Sequence, residues 1–323
     1  MPSLTASSLA LGLFSGLINA QNVAYTNPVL PGWHSDPSCV FVAELENTTF
    51  CTTSSFMAFP GNPIYASQDF VNWKLASNAL SRVEQLPEIR IATNQQFVGM
   101  FANTLRFNKG RFYLISAWIN TDIPNPRFFL NTATDPFDDA SWGDLMLIDP
   151  SLRTIDPDIF FDDDGSIVVA SSGAPIIASH LDLITGKLSE SWTMWNGTGG
   201  ENIEGPHLYK KDGYYYLLIA EGGTQLGHSA TIARSKNLIN GTWKYHQKIL
   251  WFRTGVQTNT SRLSDMRTCL KTRTETGGVL RYQQGVAPFY TISQSFPWAE
   301  KWYSIPSRGQ PENSQSPKKS VGK

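Results

Sequence analysis

Three carboxylates, Asp36, Asp156 and Glu204, stand in short segments whose residue types suit chemistry. Asp36 lies in Asn27-Pro28-Val29-Leu30-Pro31-Gly32-Trp33-His34-Ser35-Asp36-Pro37-Ser38, Asp156 in Thr154-Ile155-Asp156-Pro157-Asp158-Ile159-Phe160-Phe161, and Glu204 in Glu204-Gly205-Pro206-His207-Leu208-Tyr209. A carboxylate disfavours ionisation of a second carboxyl beside it, so one group can stay an acid while its neighbour works as a base. Such a pair can activate a water with one member and protonate a leaving oxygen with the other. The plain alternative for Asp36 and Asp156 is a turn, which aspartate before proline commonly initiates; for Glu204 it is an ordinary loop acid. Asp158 and the run Asp162 to Asp164 are assigned to turns and a solvated face. No Cys/His zinc spacing, phosphate loop or Gly-x-Ser-x-Gly elbow offers a competing mechanism.

These three segments, with Thr53-Ser54-Ser55-Phe56 to Phe59-Pro60-Gly61 and Ser67-Gln68-Asp69-Phe70-Val71-Asn72-Trp73, closely resemble family 43 of the glycoside hydrolases. The resemblance is to its β-xylosidase and α-L-arabinofuranosidase members and covers roughly residues 27 to 258. It implies cleavage of glycosidic bonds with inversion, Asp36 serving as general base and Glu204 as general acid, while Asp156 raises the pKa of Glu204 and orients it. Xylan, arabinoxylan or their oligosaccharides are the implied partners, and the chemistry requires no cofactor. Phe56 matches the aromatic that lines the family's sugar pocket. Phe101 falls where many members carry Trp in an I-W-A-P segment, which here reads Met100-Phe101-Ala102-Asn103. Trp33 and Phe59 offer further stacking faces, with burial in the core as the alternative for each. His228 matches a position near the family's central channel. A rival reading from another class is a non-catalytic sugar-binding propeller: the altered Phe101 and Asn103 favour it, and retention of all three acids opposes it.

The elements that must hold these residues are strands. Short apolar or aromatic runs recur between turn residues at Val40 to Val42, Phe50 to Thr53, Ile64 to Ala66, Thr104 to Phe107, Phe112 to Ala117, Ile159 to Phe161, Ile167 to Ala170, Tyr214 to Ala220 and Ala230 to Arg234. Their spacing predicts an all-β sandwich, barrel or propeller. Hairpins are signalled at Asp162-Asp163-Asp164-Gly165 and at Lys210-Lys211-Asp212-Gly213. Spacing does not separate the three architectures. The resemblance does, implying a five-bladed β-propeller whose acids come from the inner strands of different blades, with the last blade incomplete.

Charged residues make up only 16% of the 323, aromatics reach 12%, and the net charge is -1, which leaves no electrostatic reason to expect nucleic acid or an anionic membrane as partner. Residues 1 to 20, apolar from Leu9 to Phe14 and ending in Ala20, read as a secretory signal peptide, although no Lys or Arg precedes the apolar stretch. The stretch is too short to span a bilayer. Secretion makes the protein extracellular and gives the cysteines a context: Cys39 and Cys51 flank a turn centred on Glu44 to Thr48 and suit a cross-strand disulfide, which leaves Cys269 odd.

The propeller domain is expected over 21–258, and the segment 259–323 departs from the family. After Gly255-Val256-Gln257-Thr258, members of this kind continue with G-H-A-D, N-G-N-W-W and M-G-R-E segments, and none of these appears. The calcium ion that accompanies the G-H-A-D histidine in some members has no counterpart residue here. A coding sequence permitted for residues 268–285, read two bases later, spells M-F-E-D-K-N-G-N-W-W-G-V-A-L-S-T-R, and the same offset turns Pro297-Trp298-Ala299-Glu300-Lys301 into M-G-R-E. The expectation is a change of reading frame between Thr258 and Thr268. Such an ending should be poorly ordered, since residues 310–323 are rich in Ser, Pro, Gln and Lys; a third reading, set against the hydrolase and the sugar-binding propeller, is a defective translation product that never folds stably.

Overall fold

A computed structural model of the chain describes residues 29–87, 98–120, 125–149, 153–173, 175–199, 202–223, 229–250, 290–292 and 301–303. All described residues belong to one compact unit. The leader expected at 1–20, His228, Cys269 and most of 259–323 lie outside the described residues.

Sixteen of the described strands form four antiparallel sheets, each built from four strands in chain order. The first holds β1 (Ser38–Val42), β2 (Thr48–Thr52), β3 (Gly61–Ser67) and β4 (Lys74–Leu80); the second β5 (Gly99–Asn108), β6 (Arg111–Ile119), β7 (Arg127–Ala133) and β8 (Met146–Ile148). The third holds β9 (Ile155–Phe161), β10 (Ile167–Ser172), β11 (Ile177–His180) and β12 (Trp192–Thr193); the fourth β13 (Glu204–Lys211), β14 (Tyr214–Glu221), β15 (Ser229–Ser235) and β16 (Lys244–Leu250). First strands lie side by side in the order β1, β5, β9, β13, which makes them the inner strands of four propeller blades. Where the resemblance implied a fifth blade, the described residues contain only β17 (Tyr290–Ile292) and β18 (Lys301–Tyr303), paired with each other.

The turns follow local chemistry. Asp212 and Gly213 both take positive φ, 49° and 73°, between the paired Lys211 and Tyr214, as a two-residue hairpin turn requires. Cys39 and Cys51 are direct cross-strand partners, joined by a disulfide with Cα atoms 4.0 Å apart.

Apolar side chains of adjacent blades fill the space between them. Phe50, Val42 and Ile64 of the first blade pack with Leu105, Phe112 and Leu114 of the second; Ile115, Phe128 and Leu130 of the second pack with Ile159 and Val169 of the third. Phe160 and Val168 meet Leu208, Leu217 and Ile219 in the same way. A blade is therefore apolar on both faces, and strands such as β14 carry core residues at successive positions, Leu217, Leu218 and Ile219, all buried.

Inner strands share one irregularity. In β5, β9 and β13 the ladder slips between Phe101 and Thr104, between Ile155 and Asp158, and between Glu204 and His207, two residues standing against one on the neighbouring strand. Each bulge starts with a left-handed residue, Ala102 (φ 46°), Asp156 (φ 54°) or Gly205 (φ 59°), and Asp36 (φ 50°) holds the same conformation just before β1. The next residue is Pro37, Asn103, Pro157 or Pro206. Proline has no N–H to offer a ladder, so a bulge is where a strand accepts it. Of the Asp-Pro pairs that could have been plain turns, Asp156-Pro157 is a bulge inside an inner strand, and Asp36-Pro37 leads into one with the same left-handed aspartate.

Candidate active site

The bulges bring Asp36, Asp156 and Glu204 together from three blades. Asp36 Oδ2 accepts the Ser54 hydroxyl at 2.5 Å, and Ser54 Oγ in turn accepts the Ala102 N–H at 2.7 Å. Asp156 Oδ2 accepts the Ser172 hydroxyl at 2.9 Å and the Gly205 N–H at 3.0 Å. The backbone directly beyond Glu204 is thereby hung on the Asp156 carboxylate.

Electrostatics tie the trio further. Burial, the charge of Asp36 and that of Glu204 push Asp156 up to about 7, against the pull of the Ser172 and Gly205 hydrogen bonds. Glu204 is also raised, first by burial and then by the charge of Asp36. The sequence reading assigned the elevation of Glu204 to Asp156. In the structure Asp156 and Glu204 stand within electrostatic reach of each other, the charge of Asp36 raises both, and Asp156 grips the backbone at Gly205. A carboxyl raised in this way keeps its proton towards neutral pH and can act as an acid.

Beside Asp36 stands a group of rings. Phe56 meets Phe101 edge-on at 4.6 Å between centroids, and Trp33 lies 6.5 Å from Phe56. Trp33 is 76% exposed, so its face is available to a ligand. Phe56 takes φ 51° and exchanges both backbone hydrogen bonds with Met100, which pins it to β5. Gly99 makes this contact possible, because a Cβ there would sit 1.9 Å from the Phe56 carbonyl oxygen. Phe59 is 41% exposed. Asn103 does not face the rings' neighbourhood as a wall residue: it is buried, and its Nδ2 donates to Thr53 O at 2.5 Å and to Thr52 Oγ1 at 3.3 Å. The departure from the family's proline at this point is a tie between two blades.

Asp158 corrects the expectation of a turn and a solvated face, and Asp162 opens the expected turn but keeps its side chain from solvent. Asp158 is fully buried and pairs with Arg106 Nη2 at 2.6 Å, while its other oxygen accepts the Leu208 N–H at 2.7 Å. Arg106 also donates to the carbonyls of Ile159 and Leu208. Asp162 binds Lys210 Nζ at 2.5 Å and the Tyr215 hydroxyl at 2.6 Å. Asp163 and Asp164 keep to the exposed turn. Among the described residues no group of three His, Cys, Asp or Glu is arranged to hold a metal ion.

Ser54, Ser172 and Arg106 were missed in the sequence. Ser54 lies inside a segment that carried the resemblance, yet nothing local distinguishes a serine that bonds a carboxylate 18 residues away.

The family model for glycosyl hydrolases family 43 matches residues 25–303, extending past Thr258. A non-reducing end α-L-arabinofuranosidase from Bacteroides ovatus is 33% identical over 71% of this chain and 42% of its own length. A xylosidase/arabinosidase from Butyrivibrio fibrisolvens is 37% identical over 67% of this chain, again 42% of its own length. The crystal structure of a xylan β-1,4-xylosidase from Bacillus halodurans superposes with a TM-score of 0.63 at 33% identity, covering 71% of this chain and 45% of that one. The chain thus spans about 42% of the length of the curated relatives it matches.

Proposed function

This chain belongs to family 43 of the glycosyl hydrolases, and from that premise we propose that it hydrolyses xylosyl or arabinosyl bonds of plant xylan, arabinoxylan or derived oligosaccharides with inversion. Asp36 takes the proton of the attacking water, Glu204 gives a proton to the leaving oxygen, and Asp156 holds the Glu204 backbone in place. Trp33, Phe56 and Phe101 form the apolar wall against which a sugar stacks. One observation carries the reading: Asp36 is near enough to raise the proton affinity of both Asp156 and Glu204. A base and an acid on opposite sides of a pentose need about 6.5 to 9.5 Å between carboxyl groups to admit the water.

The propeller in this reading has five blades, the last incomplete, and the ending after Thr258 lowers activity through a shifted frame. The protein acts outside the cell; the leader-like start and the buried disulfide between Cys39 and Cys51 support that placement. Release of nitrophenol from aryl β-xyloside and α-arabinofuranoside tests the activity, and the anomer of the first-formed sugar, read by NMR, tests inversion. Retained configuration, or release that survives Glu204→Ala and Asp36→Ala together, would overturn it.

A further inference from the structure

Two serines occupy matching places in alternate blades. Ser54, just past β2, donates to Asp36 Oδ2 and accepts the N–H of Ala102. Ser172, the last residue of β10, donates to Asp156 Oδ2 at 2.9 Å and accepts the N–H of Gly205 at 3.0 Å. In both cases the carboxylate belongs to the serine's own blade, and the N–H belongs to the left-handed bulge residue of the following blade. Both serines are buried, Ser54 at 3% and Ser172 at 5%. A backbone N–H can only donate, so each serine oxygen receives that proton and its own hydroxyl hydrogen is left to point at the carboxylate. The arrangement has one direction, and it appears twice.

Resting on the reading of Asp36 as base and Glu204 as acid, we propose that Ser54 and Ser172 are positioning residues that lock one oxygen of each aspartate to the bulge of the next blade. Ser54 engages Oδ2 of Asp36 and leaves Oδ1 outside that lock. Ser172 shares the Gly205 N–H with Asp156 Oδ2, so hydroxyl and carboxylate together fix the start of the Glu204 strand against the third blade. Because Ser172 donates to the ionised form of Asp156, it also opposes the upward push of burial and of Asp36 on that carboxyl. Loss of that hydroxyl strengthens the hold of Asp156 on its proton and removes one tie to the strand of Glu204. The consequence falls on leaving-group protonation, whereas loss of Ser54 falls on water activation, which every substrate needs.

Carboxyl carbon NMR on the full chain tests this without depending on turnover. With Ser172→Ala the Asp156 midpoint should move upward by about one pH unit, and with Ser172→Thr, which keeps a hydroxyl, it should stay near the wild-type value. With Ser54→Ala the Asp36 carboxyl resonance should move at constant pH, and Ser54→Thr should return it. Unmoved signals in both alanine variants, or equal movement in alanine and threonine variants, would overturn the proposal. Kinetics supply the second arm: Ser54→Ala should lower kcat about 10- to 100-fold alike on xylobiose and on an aryl xyloside, and Ser172→Ala should lower it at least about tenfold more on xylobiose. A merely structural role would lower the melting temperature and the active fraction without separating the two substrates. If the wild-type chain cleaves neither, the functional reading fails, and the NMR arm still decides the two serines.

Discussion

Arg106 on β5 reaches Asp158 on β9 with its Nη2 2.6 Å from Oδ1, at a point where Asp158 is wholly buried and Arg106 nearly so. The same guanidinium donates to carbonyls of Ile159 and Leu208, and its carbon lies 5.3 Å from the Tyr209 ring centroid. One side chain therefore spans three inner strands. It ties the second, third and fourth blades together, and the last two of these carry Asp156 and Glu204.

Breaking that pair should be costly. Asp158→Ala leaves the Arg106 charge buried and the Leu208 N–H without its acceptor, which should cost about 3–5 kcal/mol. Urea unfolding of the two proteins measures it, and a difference below about 1 kcal/mol would show that water or a neighbour replaces the carboxylate.

Stability should also fall as pH rises towards neutrality. Folded Asp156 keeps its proton up to about 7, whereas the unfolded chain releases it near 3.8, so between those values the native state binds more protons and is favoured at the acid end. Three pH units would be about 4 kcal/mol, reduced to about 1–2 kcal/mol because Asp156 is only partly buried. Asp156→Asn should flatten this fall. Melting temperatures of both proteins from pH 4 to 8 test the sign, and parallel curves would refute it. Glu204 contributes in the same direction, so the difference between the two curves isolates Asp156.

Leaving-group chemistry should separate the two reacting acids. Glu204→Ala should lose about 100-fold or more on unactivated xylosides and much less on activated aryl glycosides, which need little protonation. Asp36→Ala should lose about as much on both. Steady-state rates on the two substrate types are the measurement, and matched losses across all four combinations would contradict the assigned roles.

The ending after Thr258 makes a prediction of its own. If the fifth blade is incomplete, as proposed, strand edges are left unpaired, and such edges invite aggregation. On the proposed change of frame after Thr258, restoring the frame from that point should raise both soluble yield and hydrolysis. Equal yield and turnover for the two proteins, expressed side by side, would establish the present ending as a working alternative.

Local chemistry was legible in the sequence because it depends on neighbours along the chain. The tight Asp212-Gly213 turn, the facing Cys39 and Cys51, and the three acids beside proline or glycine all express constraints reaching over a dozen residues or fewer. Strand composition was legible too, since a blade buried on both faces needs runs such as Phe112 to Ala117. The inner strands were harder: Pro157 and Pro206 interrupt the pattern, so β9 was read from Ile159 rather than Ile155, and β13 was seen only as the first arm of a hairpin. What tertiary structure alone decided is which distant groups meet. Asp158 read as solvated because a charged residue beside Asp162 to Asp164 usually is, and only the arrival of Arg106 from another blade, 52 residues away, makes its burial tolerable. Ser54 and Ser172 are ordinary serines by composition; blade packing sets an N–H of the next strand on one side of each hydroxyl and a carboxylate on the other. The bonds from Ala102 and Gly205 run between blades, and no spacing along a single strand encodes the distance between two sheets.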